Sequence, residues 1–355
     1  MTRYYRYRLI KSLPVLAVSL IAGFLFLNIG LISNYGGYFS ANRYYTVSME
    51  PIYILFIVEA FAYAYLAFSS FRNKRNLDTW FSFPLSREKI AIVHVLDVLT
   101  MYVIQAVLLG INGIVLISSH SGLNVLYFFP AVLISALFGF LMFLFCSCTF
   151  LFGNSVFDGA VSIFAWLNVP SAIVTAINYI NVLITGDYQN MFRNEIVVSP
   201  YYGISALNSY FEYYMNKNVI SKIKHAFDYS SFYMEEYKYI PDSAWISIGI
   251  WVAIFIAAAV ALPFVFSKRP TEKIGGVSDF PLCYEFIIPF YTAFMFIIAE
   301  DSTPLKLFFV IAAYIAYAIY RKSPNITVKR FVVLAVFAVL AFIPVFDLLG
   351  IEGFI

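Results

Sequence analysis

The chain has 355 residues, of which 62% are hydrophobic and only 12% charged, with a formal net charge of +3. Soluble domains carry roughly a quarter charged residues, so this composition excludes a soluble globular protein and points to an integral membrane protein, with lipid as one partner and no nucleic-acid partner expected.

The first eleven residues, MTRYYRYRLIK, begin like a signal peptide. The apolar run after them is too long and lacks a small-x-small cleavage site, so the segment is expected to stay attached as the first span. Crossing a hydrocarbon core of about 30 Å takes about 20 mostly apolar helical residues. Nine stretches qualify or nearly qualify: 12–33, 51–71, 90–118, 125–150, 157–185, 244–266, 280–299, 305–320 and 331–349. The break at 301–304 is short enough for a re-entrant turn, which makes eight the alternative count. Continuous apolar runs exclude the alternating strands of a barrel. The expected fold is therefore an all-α polytopic bundle of about nine transmembrane helices. It divides into 1–185, holding five helices and the loop 72–89; 186–243, a Tyr-rich outer segment; and 244–355, holding the remaining helices.

Basic residues in short loops stay on the cytoplasmic side. With the N-terminus inside, Arg3, Arg6, Arg8 and Lys11, then Arg72, Lys74, Arg75, Arg87 and Lys89, then Lys268, Arg269 and Lys273, then Arg321, Lys322, Lys329 and Arg330 all fall inside. That is sixteen of the 23 basic residues. The segment 186–243 is then extracellular. Its apolar residues recur at roughly helical spacing, which suits one or two amphipathic helices capping the bundle, or equally a Tyr-rich interfacial belt.

Ionisable and polar side chains inside spans are functional candidates, because lipid penalises them. Glu59 lies near the middle of the second span and shares a face with Tyr63 and Ser70. On the third, His94, Asp97, Met101, Gln105 and Asn112 form a comparable face, and Asp97 stands one turn from His94, close enough to pair with it. In the fifth, Asn168, Ser171, Thr175 and Asn178 follow one another at helical spacing around Pro170, where the helix can break. These faces suit a translocation path or a subunit interface. The alternative is interhelical hydrogen bonding, worth about 0.6 kcal/mol per contact on average. Cys146, Cys148 and Cys283 read as packing residues, with neither a disulfide framework nor a metal site supported.

Inside the loop RNKRNLDTWFSFPLSREK at 72–89, Leu77, Trp80, Phe81 and Phe83 stand among charges. A short helix ending before Pro84 would present these aromatics to another surface, or dip them into the head-group layer. The order of basic run, Asp, aromatics, Pro-Leu-Ser-Arg-Glu-Lys and long apolar helix resembles the inside loop of type-2 ATP-binding-cassette (ABC) export permeases of Gram-positive bacteria. The segment ALPFVFSKRPTEKIGG at 261–276 is similar to the same family's cytoplasmic exit after the sixth span, with Arg269, Glu272 and Gly275 matching a basic-x-x-Glu-x-x-Gly pattern.

The resemblance covers essentially the whole chain, and its extra spans are similar to those of the multidrug and peptide exporter branch. It implies that 72–89 forms a coupling helix, with Asp78, Trp80, Phe81, Phe83, Pro84, Arg87 and Glu88 contacting a cytoplasmic ABC ATPase. The chain has no G-x-x-x-x-G-K-[S/T] phosphate loop, so ATP and Mg would belong to that separate subunit, and this chain is expected to be no enzyme and to hold no cofactor. A second permease copy or paralogue would complete a dimer in the bacterial plasma membrane. The implied cargo is an amphipathic or hydrophobic peptide, antimicrobial or drug, linking the chain to antimicrobial resistance. Two other readings stay open: a secondary transporter coupled through Glu59 and Asp97, and a sensor or assembly protein without transport.

Overall fold

The computed structural model describes residues 2–35, 44–72, 85–120, 122–185, 198–227, 239–268, 278, 280–299, 302–321 and 327–341. Ten α-helices account for most of them: α1 (Thr2–Gly30), α2 (Glu50–Phe68), α3 (Arg87–Ser118), α4 (Phe128–Phe150), α5 (Val156–Thr185), α6 (Pro200–Phe227), α7 (Asp242–Lys268), α8 (Tyr284–Ile298), α9 (Thr303–Arg321) and α10 (Val328–Ala341). A two-stranded antiparallel ribbon, β1 (Ile32–Tyr35) with β2 (Tyr44–Val47), joins α1 to α2 and pairs Ile32 with Val47. Apart from that ribbon the described fold is the all-α bundle expected. It is a multi-pass membrane protein: α1, α2 with the following turn, α3, α4, α5, α7 and α9 are long and apolar enough to cross a membrane. The helices α8 and α10 fall on the other two apolar stretches, but their described lengths are 15 and 14 residues. At 1.5 Å per residue each reaches only about 22 Å.

The chain divides into two compact units, one formed by 1–151 with 196–269 and the other by 152–195 with 270–355. In the first, α4 is the central helix. It is apolar all round, and most of its side chains are buried against α2, α3 and α7, whereas α1 turns Val18, Ile21, Leu25 and Ile29 outward, as a lipid-facing helix does. Close approach of α2 and α4 depends on Gly139, where a Cβ would stand 2.8 Å from Phe56 Cβ and 3.0 Å from its carbonyl oxygen. Small residues let helix backbones approach in lipid, where packing replaces the hydrophobic drive.

In the second unit, α8 packs on α5, α9 and α10. Trp166 of α5 stacks on Phe286 and donates its indole N–H to Leu282 O at 2.8 Å. Arg330 at the start of α10 pairs with Glu285 at the start of α8 (2.7 Å) and lies over the rings of Tyr317 and Tyr320 at the end of α9. The helix α5 continues through Pro170, so the expected break is absent. Proline costs a hydrogen bond but is tolerated in transmembrane helices, where the freed carbonyl is satisfied locally.

Candidate functional site

A polar seam runs along α1 inside the first unit. Its buried residues from Ser12 through Leu16, Ser19 and Gly23 to Leu27 recur at three and four, and Tyr4 stands two turns before Ser12, so they line one face. Tyr4 OH lies 3.3 Å from His94 Nε2, Ser12 donates to Asp97 Oδ1 at 2.8 Å, and Tyr5 OH meets Thr100 at 2.6 Å. Deeper in the bundle, Ser19 donates to Glu59 Oε1 at 2.5 Å. Because 4, 12 and 19 meet 94, 97 and 105 in the same order, α1 and α3 run parallel and start at the same end.

Glu59 is the centre of a four-residue network. Gln105 donates its amide to the Glu59 carboxyl at 2.5 Å and also to Ser19 Oγ, and Tyr63 donates to Ser19 at 2.8 Å. The acceptor Oε1 therefore receives two donors, while Oε2 has no hydrogen-bond partner among the described residues. A carboxyl buried in lipid without a cation must be protonated or solvated to avoid the cost of an isolated charge. Asp97 has a different solution: Arg8 Nη2 stands 3.6 Å from its Oδ2. Its ion-pair partner thus comes from α1, one turn below Ser12. His94, for its part, sits among Tyr4, Phe68 and Phe71.

At the end where α1 and α3 begin, four aromatic groups converge. Phe71, in the 3-10 turn Ser69–Arg72 that ends α2, meets Phe266 of α7 edge to face at 5.0 Å and His94 of α3 at 5.1 Å; Phe68 meets Phe266 at 5.9 Å. The buried Arg72 donates to Leu151 O at 2.6 Å, tying the same turn to the end of α4. Ser86 caps α3, accepting from the Lys89 N–H, and Glu88 follows in the first turn, where an acidic side chain complements the helix dipole. The loop 72–89 and the segment after Lys268 therefore spring from one packed cluster. The basic N-terminal residues lie at that end too.

The opposite end is held by α6. Asn216 accepts from Val47 N–H and donates to Val47 O, both at 2.8 Å, so a buried side-chain amide completes the free edge of β2. One turn earlier, Glu212 accepts from the N–H of Met49, the N-cap residue of α2, whose amide has no partner within the helix. Burial pushes the Glu212 carboxyl up to about 7, opposed by the Met49 hydrogen bond and assisted by nearby Glu50. Asn208 accepts from Ser135 of α4 at 3.2 Å, and Tyr53 OH meets Tyr201 OH at 3.1 Å. This helix is a packed cap rather than a loose belt.

Of the residues singled out in the sequence, the structure brings Glu59 and Gln105 together in one network and places Asp97 nearer the end of the same seam. Asn168, Ser171, Thr175 and Asn178 lie on α5, in the other unit; Asn168 donates back to Phe164 O of its own helix at 2.8 Å. Arg87 and Glu88 form the first turn of α3. Asp78, Trp80, Phe81, Phe83 and Pro84, together with Arg269, Glu272 and Gly275, lie outside the described residues. Sequence reasoning missed Tyr4, Arg8, Ser12 and Ser19 as the seam's other half, and Glu212 and Asn216 in the cap.

Comparison with protein-family models, with curated proteins and with solved structures returns no match.

Proposed function

We propose that the chain is the membrane-spanning permease subunit of an ATP-driven exporter of the ABC type, working with a separate cytoplasmic ATPase and a second permease copy or paralogue. The observation that carries this reading is the convergence of two distant loops. The segments 72–89 and 261–276, on which the family resemblance rests, leave the bundle from one aromatic cluster of Phe68, Phe71, His94 and Phe266. A partner pressing on both loops would act on α2, α3 and α7 at once, as a coupling device must. The cluster stands at the basic end of the first unit, which the positive-inside rule assigns to the cytoplasm, with α6 at the outer end. On this reading the nucleotide chemistry belongs to the partner, and the cargo is an amphipathic peptide, antimicrobial or drug.

Buried aromatics anchor protein interfaces, and their truncation often costs about 2 kcal/mol or more of binding. Trp80→Ala and Phe83→Ala should therefore reduce recovery of the co-purified ATPase while membrane insertion stays normal. Unchanged recovery and unchanged coupled transport for both variants would remove the coupling role from this loop.

The Glu59 network favours a second reading, a secondary transporter in which Glu59 carries a coupling proton. It requires transport by the chain alone under a proton gradient, abolished by Glu59→Gln.

A further inference from the structure

We propose that Glu59 is a proton-binding site loaded from the end at which α1 and α3 begin, by way of a polar pocket and the hydroxyls of Tyr63 and Ser19. The route rests on neither reading of transport, since a proton that enters and leaves from one end drives nothing across the membrane.

The pocket has a volume of about 140 Å³ between α1, α2 and α3. Water occupies such a space where it is polar and offers about 10–15 Å³ per molecule, and Arg8, Ser12 and Asp97 supply the polar side here. Asp97 is fully buried in the wall, and its Oδ2 accepts no hydrogen bond among the described residues, which leaves it open to a water. The deepest layer of the lining is Val15, Tyr63 and Met101. Ser19, Glu59 and Gln105 stand four residues away along the same three helices, one turn or about 6 Å deeper. Tyr63 belongs to both layers: it lines the pocket, and its hydroxyl donates to Ser19 Oγ at 2.8 Å. Helical side chains lean toward the start of their own helix, and for α2 that direction is deeper into the bundle.

The hydrogen bonds form a chain that works in both directions. A hydroxyl has one proton to donate and two lone pairs to accept with. With Glu59 ionised, Ser19 Oγ accepts from Tyr63 and Gln105, so its own proton points at Glu59 Oε1, at 2.5 Å. Both links are short enough for proton transfer. Hydronium reaching the pocket gives its proton to the Tyr63 oxygen, Tyr63 passes its own to Ser19 Oγ, and Ser19 passes its own to Glu59 Oε1. Each hydroxyl breaks one O–H bond and forms one, and the carboxyl gains one proton for the one that entered. The reversed chain is equally complete: Glu59 donates to Ser19, Ser19 to Tyr63 and Tyr63 to the pocket, while Gln105 still donates to Ser19. The titratable side chains against Glu59 are Tyr63 of its own helix and Tyr102 of α3, whose rings meet edge to face at 5.5 Å. From α1 it meets Ser19, and α4 has two cysteines and no charged side chain. Arg8 and Lys11 of α1 and Asp97 of α3 lie on the pocket side, and α6 meets α2 further out, at Met49 and Tyr53.

The full chain in neutral detergent tests this by time-resolved infrared spectroscopy after a light-triggered pH jump, with the carboxyl C=O band of Glu59 assigned by its loss in Glu59→Gln. Tyr63→Phe keeps the ring and removes the hydroxyl; Val15→Trp fills the pocket floor from a half-buried position and leaves every hydroxyl in place. A positioned proton carrier contributes about 10²–10⁴-fold to a transfer rate, so both variants should gain the proton about a hundredfold more slowly. They should also lose it more slowly by the same factor, because a route speeds both directions alike, whereas a packing defect that shifts the equilibrium alters one rate against the other. A Glu59 band that is absent at every pH from 5 to 8, that appears in either variant at the unaltered rate, or that slows in one direction alone overturns the proposal.

Discussion

Phe71 and Phe266 meet edge to face at 5.0 Å, joining the turn that ends α2 to the last turns of α7. The contact sits where two loops of unrelated position in the chain leave the bundle, and both rings are buried. Phe266→Ala would open a cavity at the base of both loops, and large aromatic truncations of this kind cost about 3–5 kcal/mol. The expected outcome is a lower unfolding temperature in detergent, with Phe266→Leu recovering most of the loss. Equal stability of Phe266→Ala and the unaltered chain would show that the cluster does not tie these helices together.

The Glu59 network separates charge from packing. Glu59→Gln keeps an acceptor for Ser19 and Gln105, so the fold should persist, whereas Ser19→Ala removes the hydroxyl on which Tyr63 and Gln105 also depend. A buried group left without its partner costs about 1–3 kcal/mol. Ser19→Ala should therefore destabilise the chain more than Glu59→Gln, while Glu59→Gln should change transport or stimulated ATP hydrolysis more than Ser171→Ala does. Wild-type transport in Glu59→Gln would leave the network a packing device.

The spans were readable because twenty continuous apolar residues have few other uses, and Glu59, Asp97 and Gln105 stood out because lipid makes such side chains costly. The partners on α1 did not stand out. Neutral hydroxyls such as Ser12 and Ser19 satisfy themselves on their own helix as readily as on another, so their periodic spacing acquires meaning only once α3 is known to lie parallel beside them. The row Tyr4, Arg8, Ser12 and Ser19 was the available signal. The Asn216 clamp left no such trace, since it answers a strand edge formed by residues far away in the chain.

At the cap, Asn216→Ala would leave both polar groups of Val47 without their side-chain partner. Two such losses at a buried site predict about 2–4 kcal/mol of destabilisation, concentrated at the α6 and β2 contact. Hydrogen exchange should show faster exchange at Val47 in this variant, with α8 to α10 unaffected. Uniform loss of protection would place the clamp's role elsewhere.

Glu212 makes the cap sensitive to pH. Its carboxyl lies at about 7 in the folded chain against an ordinary value of 4.5, so the native state keeps a proton that the unfolded state releases. The stabilising contribution is then complete below about 4.5, declines as pH rises to about 7, and is absent above that. Glu212→Gln should flatten this decline, so the stability difference between the variant and the unaltered chain should grow in the variant's favour from pH 5 to pH 8. A difference independent of pH across that range would contradict the assignment.

The most direct test of the account as a whole is transport by the chain, with the ATPase that co-purifies with it, in sealed proteoliposomes supplied with a panel of amphipathic peptides, lipids and drugs. The account predicts cargo movement and cargo-stimulated hydrolysis that require ATP and Mg, persist when the proton gradient is collapsed, and uncouple in Trp80→Ala. Transport by the chain alone, driven by a proton gradient and indifferent to ATP, would contradict it.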